Sequence, residues 1–276
     1  MKLFNIKNLL CKTAIFLRRA MYISSGMLSS FVHGSDQNVY VVSYHSIAED
    51  NWRFSIDTAQ IKKQISYLSE KFDIIDLKTL EKIIQGKKKV LRPSIAITFD
   101  DGYKDILKLK KFFSKKNIKP AVFLLADPKN ANWKELGSKR RFLNLSEIAS
   151  LYNSGFEIGS HSNTHSNLST LETKSLDNEI LGSKKLLEKT LGITIKYFAY
   201  PRGKYNSTVV QKVKKAGYRL ALTMDDSHIS VDTDPLLVPR IGIDRTHSFE
   251  EFKYLFARNN INMRMIVKKS YIGRYI

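Results

Sequence analysis

The stretch Ser94-Ile95-Ala96-Ile97-Thr98-Phe99-Asp100-Asp101-Gly102 joins an uncharged, β-branched and aromatic run to two carboxylates and a glycine. A run this short, apolar on both alternations, reads as a strand buried on both faces, the habit of parallel sheets. Working outward, similar runs recur at 39–44, 73–75, 121–125, 156–159, 195–199, 219–223 and 237–241. Helical patterns separate them. Asp57 caps one whose apolar positions are Ile61, Ile65, Leu68 and Phe72. Others cover 77–85, 103–116, 146–153, 172–190 and 207–216, several closed by a glycine such as Gly86, Gly192 or Gly217. Ser248 and Glu251 form a capping-box pattern for a last helix. Strand–helix alternation over roughly 220 residues predicts a parallel sheet with right-handed crossovers, closed as one (β/α) barrel of about seven strands.

Composition agrees with one folded domain. The 276 residues are 43% hydrophobic and 26% charged, which excludes disordered and low-complexity classes. A single cysteine, Cys11, rules out an intrachain disulfide or a thiolate metal cluster. No glycine-rich dinucleotide or P-loop turn follows any strand. The outlier is charge: 46 Lys and Arg against 26 Asp and Glu give +20. Such a field attracts polyanions, but no zinc finger or aromatic-interleaved motif accompanies it, so nucleic acid is not expected.

Both ends of the chain concentrate this charge. Residues 1–20 hold Lys2, Lys7, Lys12, Arg18 and Arg19 without an acid, and Leu3, Ile6, Leu10, Ala14, Leu17 and Met21 recur at helical spacing. The run is too polar for a transmembrane helix and its cations interrupt a signal-peptide pattern. A basic amphipathic helix on an anionic membrane surface, through residues 1–35, fits best; a signal or a leader is the competing expectation. The division expected is 1–38 for this segment, 39–258 for the barrel and 259–276 for a basic tail, in a monomer. A membrane-associated or cell-envelope location follows, with a cytoplasmic one as alternative.

Unusual polar residues gather just past the strand ends, which in a parallel barrel all open on the catalytic face. His45 follows the first strand, Asp100 and Asp101 the third, His161 and His165 the fifth, Tyr200-Pro201-Arg202 the sixth, and Arg240 lies in the last. Asp101 could cap the 103–116 helix, but that leaves Asp100 and Gly102 unexplained. His161 and His165, four apart, would share one face of a helical turn and, with a carboxylate, describe a two-His, one-carboxylate site for one divalent ion. Zinc, cobalt, nickel, iron and manganese all suit it. Three protein ligands leave positions for water and substrate, as in a catalytic site.

Thr98-Phe99-Asp100-Asp101-Gly102, His161-Ser-Asn-Thr-His165 and Phe198-Ala199-Tyr200-Pro201 resemble the first three motifs of the polysaccharide deacetylases, carbohydrate esterase family four, the NodB-homology domain. Val41-Val42-Ser43-Tyr44-His45 resembles the branch that contains bacterial poly-N-acetylglucosamine deacetylases. The resemblance covers roughly residues 39–250. It implies a distorted (β/α) barrel and metal-dependent removal of N-acetyl groups from a glycan; of the divalent ions that suit the site, zinc is the one expected. Position by position, it implies Asp101, His161 and His165 as metal ligands, Asp100 as the base acting on metal-bound water, and His45 as the acid that protonates the leaving amine. The Tyr200-Pro201-Arg202 turn would supply substrate contacts and a backbone N–H for the oxyanion.

Two positions depart from the pattern. Ala199 stands where many members carry an arginine, and Arg240 is expected to supply the missing guanidinium that orients Asp100. Arg202 replaces an aromatic, which bears on substrate preference. His228 and His247 have no motif support and read as surface residues. The competing functions are a non-catalytic glycan-binding protein on the same fold, and a deacetylase of a lipid-linked sugar or another amide. An iron oxygenase would share the ligand triad but not the βα repeats.

Overall fold

A computed structural model describes residues 2–30, 38–136 and 140–269. Residues 31–37 of the amino-terminal segment and the tail from Ser270, with Arg274, lie outside them. The chain divides into two compact units, residues 37–243 and a smaller one made of 1–36 with 244–276.

The larger unit is built on β1 (Val39–Tyr44), β2 (Asp73–Ile75), β3 (Ser94–Phe99), β4 (Ala121–Leu124), β5 (Glu157–Ser160), β6 (Tyr197–Ala199), β7 (Leu220–Leu222) and β8 (Ile241–Gly242), all paired in parallel. The order is β7-β6-β5-β4-β3-β1-β8. β2 pairs with the first half of β3, and β4 with its last two residues. Val238 bridges Leu222 while Ile241 pairs with Val42, so the segment 238–242 reaches both edges and curls the sheet into a distorted barrel. The last strand is shorter than the sequence suggests, because Pro239 has no N–H to give a ladder. Every residue of β1, β3, β4, β6 and β7 is buried, as the continuous apolar runs require.

The crossovers follow the capping chemistry. In the smaller unit lies α1 (Lys2–Ser30), and in the larger α2 (Thr58–Lys71) and α3 (Leu77–Ile84), capped by Asp57 and Asp76. Leu77, Leu80, Ile83 and Ile84 share one apolar cluster with alternate strand residues Val39, Val41, Ala121, Phe123, Tyr197, Ala199, Leu220 and Leu222. Alternation puts those strand side chains on one face, so α3 packs against the barrel interior. The helix expected at 103–116 is a 3-10 stretch, Lys104–Leu109, running into α4 (Lys110–Lys115). Next come α5 (Trp133–Leu136) and α6 (Leu145–Asn153), the latter with a capping box between Asn144 and Glu147. The long helix expected at 172–190 is α7 (Thr173–Asp177), a π-turn at Asn178–Gly182 and α8 (Ser183–Leu191). α9 (Ser207–Lys215) completes the unit, and α10 (Phe249–Lys253) and α11 (Arg258–Lys269) belong to the smaller one.

Within the smaller unit two expectations are corrected. The Ser248 hydroxyl does cap α10 by accepting from the Glu251 N–H, but the Glu251 carboxylate does not return to the cap; it binds Arg18. His247 is not a surface residue: it is buried, with Nδ1 against Asp244 and Nε2 against Arg264. His228 is exposed.

Candidate metal centre and catalytic site

The register Tyr44↔Phe99 ends β1 and β3 together, and the residues after them begin the site. The Asp100 N–H donates to the Tyr44 carbonyl at 2.9 Å, which carries the strand pairing one residue further. Asp101 then takes φ +70° and Gly102 φ +72°. A Cβ on Gly102 would come within 2.7 Å of Leu124, so the turn needs glycine for its space as well as its conformation. Asp101 caps no helix: the 3-10 stretch after it is headed by Tyr103, without a side-chain cap. That removes the structural explanation for the second carboxylate.

The two aspartates, both buried, have opposite surroundings. Arg240, fully buried, donates from both terminal nitrogens to the two Asp100 oxygens, at 2.7 and 2.8 Å. Its remaining donors reach the Thr223 carbonyl at 3.0 Å and the Thr98 hydroxyl at 3.2 Å, and its guanidinium carbon lies 5.6 Å from the centre of the Phe123 ring. Ser43 adds a hydroxyl to Asp100 at 3.3 Å. Burial would raise the Asp100 carboxyl, but Arg240, His161 and these hydrogen bonds outweigh it and hold it well below the usual carboxylate range. The expectation that Arg240 reaches Asp100 thus matches the geometry. For Asp101 burial and the neighbouring Asp100 outweigh the lowering influence of Tyr103 and Arg240, so its carboxyl is pushed up to about 8.

His161 and His165 converge on Asp101. Each presents Nε2 at 3.5 Å from Asp101 Oδ1. The His161 Nδ1–H donates to the Ala199 carbonyl at 2.8 Å, which fixes the tautomer and leaves Nε2 with its lone pair. Burial lowers the proton affinity of both imidazoles, so both are neutral ligands near pH 7. The helical turn expected from the four-residue spacing does not form. Residues 161–167 are a loop in which Ser162 and His165 take φ +69° and +65°. The histidines meet because the loop doubles back, with the His165 N–H donating to the Ser162 hydroxyl at 3.1 Å.

A residue absent from the sequence reading holds this loop. Glu179, buried in the π-turn, accepts from the Asn163 and Thr164 N–H groups at 2.9 and 3.0 Å and from the Thr164 hydroxyl at 2.6 Å. The π-turn re-aims one side chain of an otherwise regular helix, a common device at functional sites. The loop after β4 also clasps it, through Ala126, Asp127 and Asn132 N–H groups to the 162, 163 and 164 carbonyls.

The donor set fits a divalent cation. Asp101, His161 and His165 each offer a ligand atom, all within 4.8 Å of one another. Asp101 Oδ1 is buried without a hydrogen-bond partner, an expense that a cation removes. Ligands about 2.0–2.2 Å from one tetrahedral ion stand about 3.3–3.6 Å apart, which the two 3.5 Å separations satisfy.

The remaining candidates border this centre. His45 is half-buried, its ring 4.8 Å from that of Phe54 and 6.4 Å from that of Trp52. Both Asp100 and His165 respond to its charge. Pro201 opens a short 3-10 turn in which Arg202 takes φ +57°, and the Arg202 guanidinium donates to the Lys134 carbonyl at 3.3 Å. Tyr200 is fully buried, its hydroxyl donating to the Leu236 carbonyl at 2.9 Å, so it braces the turn from inside.

Comparison with known proteins gives the geometry its context. Residues 87–221 match the polysaccharide deacetylase family model. YxkH of Bacillus subtilis, provisionally named a polysaccharide deacetylase, is 24% identical over 209 residues, 74% of this chain and 70% of that one. The poly-β-1,6-N-acetyl-D-glucosamine N-deacetylase of Staphylococcus aureus is 25% identical over 232 residues, 79% and 76% of the two chains. In fold, the Streptococcus pyogenes deacetylase PplD, solved with acetate, superposes with TM-score 0.67 at 20% identity, covering 79% of this chain and 97% of its own.

Proposed function

The chain carries a polysaccharide deacetylase domain, and from that premise we propose a divalent-metal-dependent hydrolase that removes N-acetyl groups from an N-acetylated hexosamine polymer. The observation that carries the reading is the buried Asp101 Oδ1, unpartnered and faced by two neutral Nε2 atoms, beside a carboxylate that Arg240 keeps ionised.

When bound by Asp101, His161 and His165, a divalent cation, zinc first among those the ligands suit, supplies Lewis acidity and a water ionisable near pH 7. The chain's own groups do the rest. Asp100, ionised at any neutral pH, accepts the proton of the attacking water at a carboxylate oxygen. The two bonds from Arg240 fix that carboxylate in place, so it is oriented before substrate arrives. The Arg202 N–H, in its left-handed turn, serves the oxyanion that develops on the acyl oxygen. His45 delivers a proton to the departing amine, which leaves poorly without one. Phe54 and Trp52 hold that imidazole at the barrel mouth. A cell-envelope glycan is the substrate setting this reading favours.

The test is acetate release by zinc-loaded protein from β-1,6- and β-1,4-linked N-acetylglucosamine oligomers, before and after chelation. Chelator-sensitive release restored by zinc is expected. No release from either oligomer by protein shown to contain the metal would overturn the reading.

A further inference from the structure

α1 is inside out. Its inward line, residues 18, 22 and 26, is four-spaced, yet its first member is a cation. Arg18 is 5% exposed, donating to the Glu251 carboxylate at 2.7 and 3.3 Å and to the Thr246 carbonyl and hydroxyl at 3.2 and 3.1 Å. Tyr22 is buried, and its carbonyl accepts from Asn260 at 2.8 Å. At Gly26 the helix lies so close to Tyr254 that a Cβ would meet it at 2.5 Å. The opposite face holds Thr13, Phe16, Leu17, Ala20, Met21, Ser24 and Met27, with no charge among them. Phe16, Leu17, Met21 and Met27 are 68, 55, 43 and 48% exposed. A helix that buries Arg18 and exposes four large apolar side chains on one face is patterned for an apolar medium outside the protein.

Charge selects which medium. Exposed Lys12 and half-exposed Arg19 border the apolar face. The segments 1–36 and 244–276, which make up this unit, carry twelve Lys or Arg against four Asp or Glu. A second copy of the chain would bring like charges together; an anionic lipid surface would be attracted. The helix is not long and apolar enough to cross a bilayer. We infer that α1 lies in the interface of an anionic membrane, inserting Phe16, Leu17, Met21 and Met27 among the acyl chains while Lys12 and Arg19 meet the headgroups. Of the cations expected to serve this attachment, Arg18 is withdrawn: it holds α1 to the Glu251 carboxylate of α10, while Arg19, 3.9 Å from the same carboxylate and donating to the Thr246 carbonyl at 3.5 Å, keeps its side chain 43% exposed. The inference goes beyond the proposed chemistry and does not depend on it.

The test uses the full chain with vesicles of phosphatidylcholine alone and of phosphatidylcholine with phosphatidylglycerol. Binding to the anionic vesicles only, weakened by salt, is expected. The Phe16→Gln/Leu17→Gln variant should bind at least about tenfold less tightly, with an unchanged thermal melt because neither side chain packs inward. Should that variant fail to fold, Phe16→Trp reports instead, and its emission should shift to the blue on anionic vesicles. Unchanged binding by the double variant, an unshifted Trp emission, or apolar burial traced by sedimentation to a dimer of this chain would each overturn the inference.

Discussion

Asp100 and Asp101 are adjacent in the chain and equally buried, yet one sits against a fixed guanidinium and the other against two neutral imidazoles. Around Asp100 the protein supplies its own cation: Arg240 makes two charge-assisted bonds, and Thr98, Thr223 and Phe123 hold that arginine still. Around Asp101 it sets the two imidazole Nε2 atoms, and leaves Oδ1 without a donor. The turn that begins at Asp101, with left-handed Asp101 and Gly102 in succession, points the carboxylates into different neighbourhoods. Two carboxylates adjacent in the chain are thereby given different surroundings: one is neutralised by Arg240, and the other belongs to an Asp/His/His group that could hold a metal ion.

The strongest challenge to this contrast is Asp101→Asn, which should take acetate release to the uncatalysed background, since it deletes a ligand charge. Asp100→Asn should lower turnover by about 10²–10⁴, the weight of a positioned base. Near-native turnover in that variant would make Asp100 a structural carboxylate. Arg240→Met strands a buried carboxylate without its counter-ion and should destabilise the barrel by about 3–5 kcal/mol in a urea melt. A melt within experimental error of the parent would show that Asp100 does not need the pair.

Two smaller effects sharpen the comparison. Glu179→Gln keeps size and one acceptor oxygen but loses the charge that clamps the His161–His165 loop; zinc affinity should fall by about 10–100-fold while the melt moves little. Glu157 is a half-buried carboxylate at the start of β5 that accepts from the Leu77 and Lys78 N–H groups. Burial pushes its carboxyl up to about 7. A raised folded value means the protonated form is favoured by folding, so its contribution is complete below the unfolded value and is lost as pH rises through about 7. Glu157→Gln should therefore flatten the decline in melting temperature between about pH 5 and 8, by a few degrees.

Much of the barrel was legible because β1 and β3 are uncharged, β-branched and aromatic runs and Asp57, Gly86 and Gly192 punctuate the helices between strands by simple rules. The site was legible in composition but not in its geometry. The spacing of His161 and His165 suggested a helical turn, whereas left-handed Ser162 and His165 make a loop, and a sequence does not print the sign of φ at Ser or His. Glu179 carried no signal at all: it is one acid among many on a helix, and its task arises from a π-turn and a loop 15 residues away. In α1 the period revealed an amphipathic helix but not which face turns inward. That choice is made by Arg18 and Glu251, 233 residues apart.

The most direct measurement is a zinc titration of the metal-stripped full chain, read by calorimetry alongside the Asp100→Asn and Asp101→Asn variants. The account predicts one ion per chain in the parent and in Asp100→Asn, with binding lost in Asp101→Asn. Stoichiometric binding that survives Asp101→Asn, or that disappears in Asp100→Asn while the barrel stays folded, would contradict the division of labour between the two carboxylates.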